Sequence, residues 1–167
     1  MAWARMVQRA GVWLPFVVVV AGAAILILLL TTDRGAAIGR ELEVVREDVH
    51  GWVTVTRVER AEPSALSGID VSYRNGARVG AISDDASLYY VNLTIRGDLP
   101  AHAVDLSGVD TDGARVLALA FPEGTTFGPC PGFVRGTGCQ VVLVPSQAGL
   151  RYITVFGQVW AVGRGGR

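Results

Sequence analysis

No charged residue stands between Arg9 and Asp33. The apolar part of that stretch, VWLPFVVVVAGAAILILLL, runs from Val12 to Leu30. As a helix it spans roughly 28 Å, about the thickness of a bilayer's hydrocarbon core. Pro15 falls in its first turn, where a missing N–H costs little. Trp13 falls at headgroup level. Arg5 and Arg9 flank the start, which by the positive-inside rule places the N-terminus in the cytoplasm. The expected organisation is therefore a cytoplasmic N-terminus (1–11), one transmembrane helix (12–30), a tether (31–39), an extracytoplasmic domain (40–162) and a flexible tail (163–167). The alternative is a cleaved signal peptide, since Gly35, Ala36 and Ala37 would permit cleavage. The apolar run is longer than the usual signal-peptide core of about 7–15 residues, which favours the anchor. No cysteine stands just after the run, so a lipid-modified N-terminus is excluded.

The chain of 167 residues has 15 basic and 15 acidic side chains, and every basic one is Arg. All of these except Arg5 and Arg9 follow the apolar run, so the outer domain is close to neutral. It has no strong field to draw nucleic acid, and no nucleic-acid partner is expected.

Beyond residue 40 the pattern is β. WVTVTRVE (Trp52 to Glu59) is rich in β-branched residues. SLYYVNLTIRG (Ser87 to Gly97) alternates: Tyr89, Val91, Leu93 and Ile95 share one face, Tyr90, Asn92, Thr94 and Arg96 the other. ARVLALAF, CQVVLVP and LRYITVFGQVW each read as a further strand. RELEVVREDVHG (Arg40 to Gly51) is ambiguous: its charges could decorate a helix, yet Leu42, Val44 and Val45 suit an edge strand, and the pattern that follows favours a strand with a turn near His50-Gly51. VSYRNGARVGAISDDA reads as a hairpin or a long loop. Asn75-Gly76, Asp84-Asp85, Asp112-Gly113 and Glu123-Gly124 punctuate the runs. About seven strands over roughly 120 residues predict an all-β domain, an immunoglobulin-like β-sandwich.

The order GWVTVTRVERA, YYVNLTIRGDLP, DLSGVDTDGARVLAL, GCQVVLVPSQAGLRYITV resembles a family of immunoglobulin-like extracytoplasmic domains. These occur in lipoproteins and membrane-anchored proteins of Gram-positive actinobacteria and are of unknown function. The resemblance covers nearly the whole outer domain and implies an extracellular sandwich. It brings no catalytic residues. Leu143 stands where the family often has Phe, and a transmembrane anchor replaces the lipid-modified cysteine.

The candidate chemistry is sparse. In VDLSGVDTDGARV, setting Asp110, Asp112 and Gly113 at EF-hand positions 3, 5 and 6 puts Gly108 at position 1 and Leu119 at position 12. Neither supplies an oxygen side chain, so a β-turn is expected instead. SDDAS (Ser83 to Ser87) reads as a polar turn, with a weak cation site at Asp84 and Asp85 as the alternative. His50 and His102 read as loop histidines, because zinc would need further ligands. No nucleophile elbow or phosphate-binding glycine loop is present. NLT at Asn92 matches a glycosylation sequon. Tyr90 and Trp160 are candidates for a partner surface, with ordinary packing as the alternative. Cys130 and Cys139 have neither zinc-knuckle nor C-x-x-C spacing. Turn-rich residues separate them, and outside the membrane such a pair is expected to form a disulfide.

The expected function is non-catalytic. The domain would bind an envelope component or serve a membrane complex, with no cofactor and no metal, and the anchor would place it in the cell membrane. The alternatives are an envelope enzyme with a site assembled from loops around Asp84, Asp85 and His102, or a secreted soluble domain.

Overall fold

Strand β5 (Ser87–Gly97) is the centre of the domain. The computed structural model describes residues 35–46, 48–100, 104–122, 127, 128, 130 and 133–163. The chain divides after Asp33, and the unit described here is the second. The charge-free run of residues 12–30 lies outside the described residues, as do His102 and residues 164–167 of the expected tail. Among the described residues no helix is long and apolar enough to cross a membrane.

The alternation in β5 sorts its side chains as the sequence predicts. Tyr89, Val91, Leu93 and Ile95 enter the main core. On its two sides β5 pairs antiparallel with β3 (Val49–Ala61) and β10 (Thr137–Val144). Outside these lie β2 (Glu41–Arg46) and β9 (Phe133–Val134), giving the order β2-β3-β5-β10-β9. A second sheet has the order β1-β12-β11-β6-β7, formed by β1 (Ala36–Ala37), β12 (Gln158–Ala161), β11 (Leu150–Val155), β6 (Leu106–Asp110) and β7 (Arg115–Leu117). A small third sheet pairs β4 (Ser72–Tyr73) with β8 (Leu119–Ala120). The domain is all-β apart from one short 3₁₀ turn at Pro63–Leu66.

Both five-stranded sheets contribute to one core. Val53, Val55 and Val142 come from the first; Leu106, Val116, Ile153 and Trp160 come from the second. These β-branched and aromatic side chains fit a pleated surface buried on one face, which gives a two-layer sandwich. Trp160 is fully buried, and its indole N–H donates to the carbonyl of Arg40 at 2.9 Å.

Several boundaries differ from the sequence reading. Ala36 and Ala37, expected in the tether, pair in parallel with Trp160 and Ala161. The turn expected near His50-Gly51 falls earlier, between Arg46 and Val49. ARVLALAF is not one strand: β7 joins the second sheet, whereas β8 turns away to pair with β4. LRYITVFGQVW is a hairpin, because Phe156 (φ 48°) and Gly157 (φ 83°) form a two-residue turn with left-handed backbone at both positions. A phenylalanine at such a position gives no turn signal in the sequence.

Candidate functional site

The outer face of the first sheet, turned away from the shared core, is divided into two halves. A register shift between Val55 and Arg57 marks the division on β3. The extra residue at the bulge lets Val53, Val55 and Val58 all reach the main core although their spacing breaks strict alternation.

One half is covered. Leu88 and Tyr90 of β5 and Cys139, Val141 and Leu143 of β10 form a second apolar cluster. The segment between β3 and β5 lies over it, contributing Leu66, Ile69, Val71 and Ile82. Phe127 closes the cluster, meeting the Tyr90 ring edge-on at 5.7 Å and stacking on Phe121 at 5.3 Å. Cys130 is bonded to Cys139 and ties this cover to β10; both cysteines are buried. The disulfide expected from the sequence is therefore present. Its partners sit on one sheet and its cover, so it does not bridge the two layers.

The other half is open. Cross-strand registers arrange its side chains as a grid. Glu41, Thr54 and Thr94 form one row, continued by Thr137 and Val134; Glu43, Trp52 and Arg96 form the next. Val45 stands opposite His50 in the third. The three exposed large hydrophobic residues among those described, Val45 (70% exposed), Val134 (68%) and Trp52 (36%), all belong to this half. His50 donates a hydrogen bond from Nε2 to the Glu43 carboxylate at 2.7 Å and packs its ring 4.7 Å from that of Trp52. Arg96 donates to both oxygens of Glu41, at 2.5 and 2.6 Å. Trp52 thus lies in register between Glu43 and Arg96, with its ring against that of His50.

Gly97 makes the grid possible. Its φ is 86°, and a Cβ there would lie 2.6 Å from the carbonyl oxygen of His50 and 2.8 Å from the Cα of Gly51. Only glycine fits both the left-handed backbone and the close strand approach.

The remaining sequence candidates fall elsewhere. Neither Tyr90 nor Trp160 is exposed: Tyr90 lies in the covered cluster and Trp160 in the main core. The partner surface expected of them therefore has no exposed ring to carry it. Sequence alternation did place Tyr90 on the outer face; it gave no sign of the cover above. Burial raises the Tyr90 phenol above its ordinary pKa of 10.0. Trp52 is the exposed ring of this sheet face, and the alternation Trp52, Thr54 against Val53, Val55 is the sequence signal that it points away from the core.

Asp110 folds the DTDG segment into a turn. Its Oδ1 accepts the N–H groups of Asp112 (3.0 Å) and Ala114 (2.8 Å), and Gly113 has φ 87°. Asp84 and Asp85 lie in a turn capped by Ser83, and Gln147 donates to Asp85 at 2.7 Å. Among the described residues no three His, Cys, Asp or Glu side chains gather as metal ligands. Two clefts border the covered half. One of about 270 Å³ is bordered by Arg74, Phe121, Gln140 and the disulfide. Another of about 410 Å³ lies between Glu62, Ser64 and Ser67 and the Ser83-Asp84 turn. Arg74 is held across the mouth of the first by bonds to the Val104 carbonyl (2.5 Å) and Gln140 (3.3 Å).

No protein-family model, no curated protein and no solved structure matches this chain.

Proposed function

We propose that this protein is a single-pass, N-in membrane protein that presents an immunoglobulin-like sandwich outside the cell. It serves there as a non-catalytic binding or accessory component of the envelope. Strand order supports the fold assignment. Reading β3, β5, β10 and β9 as A, B, E and D, and β12, β11, β6 and β7 as G, F, C and C′, matches the immunoglobulin arrangement with β2 added at one edge of the first sheet and β1 at one edge of the second. The disulfide departs from antibody domains, where it joins B to F across the layers. The buried disulfide also accords with an oxidising compartment.

One observation carries the binding role: the open grid around Trp52. Contiguous exposed apolar patches mark docking sites, and Trp is favoured where partners dock; here Trp52 and Val45 stand in adjacent rows of one sheet face. Two experiments test the proposal. In the native membrane, the full chain should resist alkaline extraction, and its C-terminal domain should be cut by protease added outside intact cells. Recovery of a mature soluble form lacking the apolar run overturns the anchor. A photo-reactive residue placed at position 45 should give a discrete protein adduct in the native membrane, and a cross-link to nothing overturns the binding role.

A further inference from the structure

Strand β2 is the longest edge strand of the domain. It has six residues, whereas the other edges, β9, β1 and β7, have two, two and three. On its outer side no described strand pairs with it, so alternate backbone N–H and C=O groups of Glu41–Arg46 face outward. An edge of this kind is a template for one more strand.

The charge around the edge selects what that strand is. On the open face the carboxylates of Glu41 and Glu43 stand with one guanidinium, that of Arg96, and the imidazole of His50, whereas Arg46 of the same strand lies over the Phe156 ring and Arg40 precedes the strand. An acidic peptide would meet like charge. A second copy of this chain is disfavoured too. Antiparallel pairing of two β2 strands centred on Glu43 sets the two Glu43 side chains opposite each other, and like charges directly opposite are destabilising. Centring the pair on Val44 sets Leu42 against Arg46 of the second copy, an apolar residue against a charge. A basic strand has neither problem. Its outward side chains would lie over Glu43 and reach Trp52, whose exposed ring accepts a cation on its face.

We infer that the free edge of β2, with Glu43 and Trp52, takes an extended basic segment of a partner protein by strand addition. The inference rests on the binding role proposed above and names the partner's chemistry.

The test uses the full chain in lipid nanodiscs and a fluorescently labelled decapeptide alternating arginine and valine, read by anisotropy. Saturable binding is expected, weakening as salt rises. A peptide N-methylated at every second residue should lose binding, because it cannot complete the ladder. Trp52→Ala and Glu43→Arg should each weaken binding about tenfold, the equivalent of one aromatic or charged contact. Glu43→Arg should in exchange bind a glutamate–valine decapeptide, a gain that misfolding cannot produce. Absence of binding, or equal binding of the N-methylated peptide, overturns the inference. If the position-45 probe yields a protein adduct while the arginine–valine peptide fails, the inference falls and the binding role stands. If neither gives a signal, both fall.

Discussion

The covered and open halves of one sheet face share the same backbone geometry and differ in what lies above them. At Leu88, Tyr90 and Val141 the chain supplies its own cover, the segment between β3 and β5 together with Phe127 and Cys130. At Trp52, Thr54 and Arg96 the described residues supply none, and Trp52 and Arg96 are instead joined laterally to His50 and Glu41 by ring contact and ion pair. The first arrangement works by removing apolar area from water. The second orders a surface while leaving it available. Stability should therefore reside in the covered half and recognition in the open one.

Leu88→Ala should show the largest effect. Leu88 is fully buried beneath the cover. Truncating it removes apolar burial and leaves a cavity, a loss of about 2–5 kcal/mol. Chemical denaturation measures this directly. A loss below about 1 kcal/mol would mean that the cover collapses freely onto the sheet and that the second cluster is no true core.

Removing the disulfide comes next. Cys130 and Cys139 are separated by nine positions, and closing so short a loop restrains the unfolded chain by roughly 2–3 kcal/mol. Converting both to Ser should also act unevenly. Hydrogen exchange should quicken in the cover, around β4 and Leu66, before it changes in β3 or β5 on the open half. A uniform change would erase the distinction between the halves.

The sequence carried much of this division and missed its decisive part. Alternation along β5 was legible because its period of two is imposed by the pleat itself. The cysteine pair was legible because its spacing fits neither a zinc knuckle nor a C-x-x-C motif and turn-rich residues separate the two. The cover was not: residues 62–86 contain a 3₁₀ turn and a two-residue strand, and neither leaves a periodic trace. The open site was not legible either. Glu43, Trp52 and Arg96 come from three strands, and their shared row depends on register, which is fixed by bulge and turn geometry and not by any local motif. Phe156 hid a turn for the same reason, since the left-handed backbone there is imposed by the two strands it joins.

Tyr90 offers a smaller test of the cover. Burial raises its pKa, so the folded state holds the phenolic proton more tightly than the unfolded chain does. Its contribution is fully present below the unfolded pKa, near 10, and is lost as pH rises through the folded value. Tyr90→Phe should therefore flatten the alkaline fall in stability, measured as denaturation midpoints across that range. An unchanged slope would mean that water reaches the phenol and the cover is not closed over it.

The smallest effect on stability should come from the open half. Trp52 is a third exposed, and Arg96–Glu41 is a solvent-facing pair of the kind worth at most about 1 kcal/mol. Arg96→Ala should shift the denaturation midpoint by less than Leu88→Ala does by a wide margin. It should nevertheless disturb the surface, since Arg96 shares a row with Trp52 and anchors the carboxylate of Glu41. Near-wild-type stability with altered Trp52 side-chain order, read from its indole resonance by NMR, is the outcome that separates a surface kept for recognition from one kept for folding. A large loss of stability would place the open half in the same class as the covered one, with its ion pairs holding the edge strand β2 to the sheet.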